Sequence, residues 1–306
     1  MSPTFFATDD GDVILRAGLE PDSKHDFRVH KLILSLASPL FKDMFTLPQP
    51  PDQTLSEEHQ LPVVDIPEPP EVVDAILRLI YPGVEPQRTF SLSTLTTLLS
   101  AADKYNIASI NPALKDALKI SCGLLPFKVY TLACRFGFSE EAREAAKVGN
   151  TQSVTSGCFD EEVRHISSTD VFRWVRFVQD REREGRSKIG ESLAWWAMYS
   201  LADCDHGEIG KDFYYRLERA VEKAFVENPC VSSKDLFAIL DKVPDPPLGC
   251  APDSESAEYH IEGPALDAFN CPVRPMSIRR KLAKLADKLS ALNCRMLDET
   301  FGKGNA

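Results

Sequence analysis

The stretch that most constrains the fold of this chain lies near its start, in residues 12–45. Val13 and Leu15 lie on one side of an alternating segment and Ile14 on the other, with charged neighbours. This pattern predicts a β-strand with one strongly buried face. Residues 27–29 predict a second strand, because glycine, proline, aspartate and serine before them favour a turn. A two-stranded hairpin is therefore expected here.

Two short helices are predicted directly after the hairpin. The first opens at His30, and its leucine, isoleucine and alanine side chains in residues 32–37 leave almost no polar face. Ser38 is suited to cap the second helix and Pro39 to begin it. Serine accepts backbone hydrogen bonds at a helix start, and proline needs no amide hydrogen there. Apolar side chains in residues 40–45 then share one side of that helix.

This order of segments resembles the BTB/POZ domain, a family of protein-interaction modules. The residues that carry the resemblance are, in chain order, Asp12-Val13-x-Leu15, Phe27-x-Val29-His30-Lys31, Ser38-Pro39-Leu40-Phe41 and Met44-Phe45. The resemblance continues with a third strand at 63–66 and helices at 71–81 and 98–107, and it covers residues 10–122. It implies an α+β fold for residues 1–122, in which a small sheet is flanked by helices.

After this domain the sequence predicts an all-α region. Residues 123–186 resemble the BACK-like helical extension that follows the BTB domain in many adaptors, and residues 187–306 are predicted to form a further helical region. That last region includes a proline-rich loop at 243–275. The arrangement also resembles uncharacterised mushroom-type fungal BTB proteins, in which a Trp-Trp-x-x-Tyr helix, here at 195–199, follows the helical extension.

Three segments of the helical region carry specific expectations. Helices are predicted at 159–166 and 169–184, and the charged residues 181–186 are interpreted as a solvated helix end. In the last helix, apolar side chains recur with heptad spacing, which favours packing onto its own domain over an intermolecular coiled coil. These side chains are Ile278, Leu282, Leu285, Leu289, Leu292 and Met296.

Two further clusters each allow two interpretations. The adjacent Trp195 and Trp196 could form a ligand platform, but a helix with one tryptophan on its core face is favoured. A basic cluster flanks the apolar seam of the last helix and could bind phosphate groups or form a solvated face. The net charge of −11 favours the solvated face. The cluster consists of Arg279, Arg280, Lys281, Lys284 and Lys288.

Composition and motifs argue against several function classes. The acidic net charge disfavours a nucleic-acid-binding surface, and no stretch approaches the roughly 20 apolar residues that span a bilayer. Eight widely spaced cysteines without a CxxC pair, and no signal peptide, predict reduced thiols in an intracellular protein of the cytoplasm, the nucleus or both. Catalytic and nucleotide-binding motifs are missing from the sequence. Cys204 and His206 come nearest to a zinc-binding pair, with a spacing one residue too tight.

The family resemblance implies particular interaction residues. Zinc-finger BTB proteins line a groove with an acidic and a basic side chain, and the matching positions here are Asp12 and Lys31. Cullin-binding BTB proteins carry a hydrophobic-x-Glu element after the second helix. The implied cullin face consists of Met44, Leu55, Glu57 and Tyr81. His30 is interpreted as a hydrogen-bonded structural histidine rather than a catalytic base.

The sequence thus predicts a non-enzymatic protein-interaction module without a cofactor or a small-molecule substrate. It would associate with itself, act as an adaptor to a cullin-3-type ubiquitin ligase, or do both. Only eleven residues precede Asp12, which argues against a domain-swapped dimer and leaves a face-to-face dimer or a monomer open. The alternatives are a BTB-type transcriptional or chromatin regulator and a zinc-binding protein built on Cys204 and His206.

Overall fold

The computed structural model describes most of the chain. The described residues are 10–19, 24–47, 61–87, 89–150, 164, 166–200, 207–243 and 275–303, without the side chains of 195–200, 207–211 and 275–277. They form two compact units. The N-terminal unit comprises residues 1–122 and 135–141, and the C-terminal unit comprises residues 123–134 and 142–306.

A three-stranded sheet lies in the N-terminal unit. Its strands are β1 (Val13–Ala17), β2 (His25–Val29) and β3 (Val63–Ile66), and β1 lies in the middle. Strand β1 pairs antiparallel to β2 and parallel to β3. The expectation of one buried face is wrong for β1, because Ile14 is as buried as Val13 and Leu15. A central strand with a continuous apolar run can bury both faces.

Five α-helices complete the described part of the N-terminal unit. They are α1 (Lys31–Ala37), α2 (Pro39–Thr46), α3 (Pro70–Ile80), α4 (Leu92–Lys104) and α5 (Asn111–Ser121). Ser38 separates α1 from α2 and is fully buried. Its hydroxyl oxygen accepts a hydrogen bond from the backbone N–H of Phe41 and donates one to the carbonyl of Tyr105. The predicted cap at Ser38 is therefore confirmed.

The remaining helices follow in chain order. They are α6 (Pro126–Arg135), α7 (Ser139–Val148), α8 (Ser168–Ser200), α9 (Gly207–Glu227), α10 (Ser233–Leu240) and α11 (Pro275–Phe301). The all-α expectation for the C-terminal region is confirmed in these residues. The helix predicted at 159–166 falls almost entirely outside the described residues. Trp195 and Trp196 lie within α8, but their side chains are outside the described part of the structure.

Helix α8 corrects the prediction of a solvated helix end at residues 181–186. The helix continues for 33 residues without a break, and the Arg181 side chain is fully buried. Its guanidinium donates hydrogen bonds to the carbonyls of Ala146, Lys147 and Gly149 at the end of α7. Helix ends leave carbonyls without intrahelical partners, so Arg181 serves as a buried C-terminal cap. Burial lowers the pKa of Arg181 to about 10.

The packing of α8 against α9 explains why a glycine is tolerated in the middle of a long helix. A Cβ atom at Gly185 would lie 2.0 Å from Cε1 of Phe225, whose side chain is buried. A contact this short is sterically forbidden, so Gly185 allows the Phe225 ring to lie directly against the α8 backbone. The mixed charges around Gly185 therefore belong to a helix interior.

The heptad seam of α11 lies inside the C-terminal unit. All six predicted seam side chains are buried, and Leu282, Leu285 and Leu289 are completely inaccessible to solvent. One apolar cluster joins four of them to side chains of α8, α9 and α10, among them Leu193, Leu217 and Leu236. The four are Ile278, Leu282, Leu285 and Leu289. The expectation that this helix packs onto its own domain is confirmed.

Candidate functional site

The start of α1 is held by the side chain of Asp12. Its Oδ1 accepts a hydrogen bond of 2.7 Å from the backbone N–H of Lys31, the first residue of the helix. The first backbone N–H groups of a helix lack intrahelical partners, and the helix dipole favours a negative charge there. Asp12, directly before strand β1, therefore supplies an acidic cap for α1.

The predicted groove pair has a different geometry from an ion pair. The structure brings Asp12 and Lys31 together through the Lys31 backbone, and their charged groups do not pair within the described residues. The Lys31 ammonium instead lies 5.9 Å from the centroid of the Phe45 ring in α2. Such a cation–π contact contributes about 0.5–1 kcal/mol at an exposed site. Lys31 thus connects α1 to α2, while Asp12 connects α1 to the sheet.

A second contact ties the same end of α1 to α3. The Tyr81 hydroxyl oxygen, directly after α3, accepts a hydrogen bond of 2.8 Å from the backbone N–H of His30. It also lies 3.2 Å from Nδ1 of the His30 ring, and the ring's Nε2 lies 3.6 Å from a carboxylate oxygen of Asp10. Burial raises the pKa of Tyr81, and the His30 N–H contact opposes that rise. His30 is therefore hydrogen-bonded, as the sequence predicted, and its structural role stays a prediction.

The exposed side of α1 is apolar. Leu34 is buried, whereas Leu32 and Leu36 are 69% and 79% exposed. These two leucines are four residues apart and therefore share one side of the helix. Two more leucines, Leu40 and Leu47, are exposed at the start and directly after the end of α2. We call Leu32 and Leu36 the α1 leucine face.

The sequence did not single out the α1 leucine face as a site. The signal was present, because a helix with almost no polar side needs cover on more than one side. The sequence pattern alone does not show which leucines face the core and which face solvent. Burying one leucine side chain contributes about 1.5–3 kcal/mol, so two adjacent exposed leucines mark a candidate contact surface.

The implied cullin face is only partly described. Met44 and Tyr81 are both half-buried, and the Tyr81 hydroxyl is engaged with His30. Leu55 and Glu57 lie outside the described residues. The structure therefore locates two of the four residues on separate elements, at the end of α2 and directly after α3.

Metal-binding clusters and reactive thiols would give the described residues a chemistry beyond binding. Among them, no three histidine, cysteine, aspartate or glutamate side chains cluster in a way that could hold a metal ion. The candidate zinc ligands Cys204 and His206 are outside the described ranges. Burial raises the pKa of Cys134 to about 11 and also raises the pKa of Cys230, which disfavours the reactive thiolate form. In the same ranges, no helix is long and apolar enough to cross a membrane.

Comparison with known proteins places the N-terminal region in a family. Residues 6–121 match the family model of the BTB/POZ domain. The mouse proteins TD and POZ domain-containing protein 1 and TD and POZ domain-containing protein 5 are each 34% identical to the chain over 94 residues. Each match covers 31% of this chain, and 24% and 26% of those proteins, respectively. TD and POZ domain-containing protein 4, also from mouse, is 35% identical over 95 residues. The chain spans about a quarter of the length of these relatives.

Proposed function

We propose that this chain, whose N-terminal region is a BTB/POZ domain, is a non-enzymatic protein-interaction module that associates with itself through α1. The observation that carries the proposal is the exposure of Leu32 and Leu36 on one side of that helix. A BTB/POZ domain mediates protein–protein interaction, and the α1 leucine face supplies an apolar surface for it.

The character of the surface favours a second copy of the chain as the partner. In a two-fold symmetric dimer the same patch is used by both copies, so the patch must complement itself. Leucine side chains meet this requirement, because apolar contacts are non-directional and need no matched charge. Lys31 and Asp12 at the start of α1 then lie beside the apolar centre, as polar residues do at the rim of an interface.

Light scattering of the purified full chain tests this proposal. We expect a homodimer for the wild type and a monomer for the double variant Leu32→Asp, Leu36→Asp, because a charge cannot be buried unpaired at the interface. The matched control is Ile120→Asp, Leu124→Asp, which alters two apolar side chains that are 61% and 82% exposed. The control is expected to remain a dimer, and circular dichroism checks that both variants keep their helices.

Two results would contradict self-association through α1. The first is a wild-type chain that stays monomeric as its concentration rises. The second is a Leu32→Asp, Leu36→Asp variant that dimerises as tightly as the control. Either result would leave the BTB/POZ assignment intact and move the search for the contact surface elsewhere.

The finer proposal is that the chain acts as an adaptor to a cullin-3-type ubiquitin ligase. Supporting it are the hydrophobic-x-Glu element at Leu55 and Glu57 and the half-buried Met44 and Tyr81. In this proposal residues 123–186 serve as a BACK-like extension, and the later helices bind a target or support the BTB domain. The protein would work inside the cell, in the cytoplasm, the nucleus or both.

Mixing the chain with a cullin-3-type N-terminal fragment tests the adaptor role. Light scattering should show a larger complex for the wild type and its loss in a Leu55→Ala, Glu57→Ala variant. The exposed Leu47→Ala variant serves as the control, because it changes a nearby leucine outside the implied face. A complex that forms unchanged with the Leu55→Ala, Glu57→Ala variant would remove this site assignment. A wild-type chain that forms no larger complex with the cullin fragment would remove the adaptor role.

A further inference from the structure

Helices α8 and α11 enclose a surface pocket whose lining is strongly basic. The pocket has a volume of about 340 Å³. Lys188 of α8 and Lys288 and Arg295 of α11 supply three cationic side chains. Glu191 is the one acidic side chain among the described residues of the lining, and Ser192 adds a hydroxyl. The volume lies at the small end of the range for ligand pockets, about 300–1,000 Å³.

The two lysines are the uncompensated charges of this pocket. In the described part of the chain, neither Lys188 nor Lys288 forms an ion pair with a carboxylate. The Arg295 guanidinium, in contrast, is held by Glu184 and lies 3.7 Å from Glu299. Two unpaired ammonium groups on neighbouring helices repel each other, so an anion between them would lower the energy of the pocket.

The Glu191 carboxylate is already engaged within α8. It accepts a hydrogen bond of 3.0 Å from the hydroxyl of Ser187, one turn earlier on the helix. Ser192 is only 8% exposed, yet it contributes to the pocket lining. The pocket therefore offers donors for an anion from two lysines, one arginine and one serine, and carries a net positive charge within a chain of net charge −11.

We propose that this pocket binds a phosphate monoester. Because Glu184 pairs with Arg295, Lys188, Lys288 and Glu191 leave the lining a net charge of about +1. A phosphate monoester, with a charge of about −1.5 to −2 at pH 7, can offset that charge. A single carboxylate would neutralise only one of the two unpaired lysines. Phosphate oxygens also accept several hydrogen bonds at once, which suits donors that converge from two helices.

The structure divides the basic cluster that the sequence showed in the last helix. Arg279 forms a 2.7 Å ion pair with Asp241, as a solvated charge of that helix would. Lys288 instead lines the pocket together with Lys188, a residue of a different helix. The site is therefore built from residues that are distant in sequence, and neither helix alone predicts it.

Phosphorus NMR of inorganic phosphate titrated with the full chain tests the site. At constant ionic strength we expect saturable broadening of the phosphate signal. In the double variant Lys188→Gln, Lys288→Gln the affinity should fall about tenfold or more, because two charge-assisted contacts are removed. The matched control Lys234→Gln, Lys242→Gln removes the same charge from exposed positions at α10 and should keep wild-type affinity.

A phosphoserine-containing peptide and its unphosphorylated form, compared by fluorescence anisotropy, identify the source of the phosphate. Tighter binding of the phosphopeptide than of inorganic phosphate would support the site with a protein-borne phosphate as its ligand. Equal binding of the two would support the site with a small phosphate as its ligand. No saturable binding of either probe, or equal losses in the pocket variant and the α10 control, would overturn the proposal. Light scattering of the pocket variant should be unchanged, which separates this site from the α1 leucine face.

Discussion

Helices α1 and α11 are both rich in leucine, yet their leucine side chains differ in exposure to solvent. In α11 the leucines at 282, 285 and 289 are fully buried. In α1, Leu32 and Leu36 are mostly exposed, although Leu34 between them is buried. Helix α11 is amphipathic, and its single apolar side finds cover within its own unit. Helix α1 has apolar side chains on more than one side, and its own domain covers only one of them.

The comparison separates two uses of the same residue type. A leucine in α11 contributes to the stability of the C-terminal unit, because water is removed from it during folding. A leucine of the α1 leucine face contributes little to the folded monomer and can contribute to association instead. Variants in the two helices should therefore affect different measurements.

Truncating one leucine in each helix should separate stability from association most clearly. Leu289→Ala should lower the free energy of unfolding of the C-terminal unit by about 2–5 kcal/mol, since it leaves a cavity in a closed cluster. Leu36→Ala should change the stability of the monomer by no more than about 0.5 kcal/mol. Urea unfolding followed by tryptophan fluorescence measures the first effect, because all three tryptophans lie in the C-terminal unit.

Far-UV circular dichroism measures the second effect, at protein concentrations where light scattering shows a monomer. A large loss of monomer stability in Leu36→Ala would mean that the α1 leucine face is part of the core. A Leu289→Ala variant as stable as the wild type would mean that the α11 seam is not a closed core.

Two arginines of α8 allow the same comparison of a buried with an exposed side chain, now for a charged residue. Arg181→Met should destabilise the C-terminal unit by about 2 kcal/mol. The variant removes the guanidinium donor from the carbonyls of Ala146 and Gly149, whereas the Lys147 carbonyl still accepts a hydrogen bond from the Asn293 side chain. Part of the cost is offset because no cation is buried. Arg183→Met, at a position whose side chain is 76% exposed, should stay within about 0.5 kcal/mol of the wild type. Equal effects in the two variants, again by tryptophan fluorescence, would contradict the capping role of Arg181.

The contact between Tyr81 and His30 should contribute less. Tyr81→Phe removes the hydroxyl that accepts the His30 backbone N–H and lies beside the His30 ring. The expected loss of stability is about 1 kcal/mol, the usual net contribution of one hydrogen bond. Urea unfolding of the N-terminal unit, followed by far-UV circular dichroism, measures it. A Tyr81→Phe variant with the same free energy of unfolding as the wild type would show that water replaces the hydroxyl at the start of α1.

The smallest expected effect depends on pH and concerns the exposed edge of the sheet. The Arg16 guanidinium forms two hydrogen bonds, of 2.8 and 2.9 Å, with the Asp26 carboxylate on the paired strand. The hydrogen bond from Arg16 lowers the pKa of Asp26 in the folded state. The stabilisation is therefore complete above the unfolded-state pKa of about 3.9 and is lost as the pH falls through the folded-state pKa.

Because the Arg16 and Asp26 side chains are 33% and 44% exposed, the contribution of the pair should be at most about 1 kcal/mol. Asp26→Asn should lower the free energy of unfolding slightly at neutral pH and match the wild type at a pH below both pKa values. Unfolding measured by circular dichroism at stepped pH values tests this. A difference that persists unchanged at acid pH would show that the effect of the substitution does not come from the charge.

The sequence predicted much of the fold because local rules agreed with the final structure. Ser38 and Pro39 mark a helix boundary through backbone chemistry that involves only neighbouring residues. The α11 seam was predictable because its heptad spacing leaves one continuous apolar side. The family resemblance led to Asp12 and Lys31, but the groove role of this pair stays a prediction.

Long-range packing explains what the sequence did not show. Arg181 was interpreted as solvated because its neighbours are charged, and its carbonyl partners lie in a helix more than thirty residues earlier. Gly185 lies in the same segment that was predicted as a helix end, and a glycine in a helix interior is unfavourable on its own. Only the position of Phe225 on α9 explains it. The same reason applies to Lys188 and Lys288, which come together only after α8 and α11 pack.

The central position of β1 has a consequence for how the protein is synthesised. Its pairing with β2 can form soon after the ribosome releases the hairpin, but its other edge must wait for β3, where Val63 pairs with Ile14. At a translation rate of roughly 5–20 residues per second, that edge stays open for several seconds. During this interval a nascent apolar strand offers free backbone hydrogen-bonding groups to other chains. The segment between β2 and β3 determines how long this edge stays open, because it must be synthesised before β3. The need for a chaperone during early translation is therefore expected to depend on the time taken to synthesise that segment.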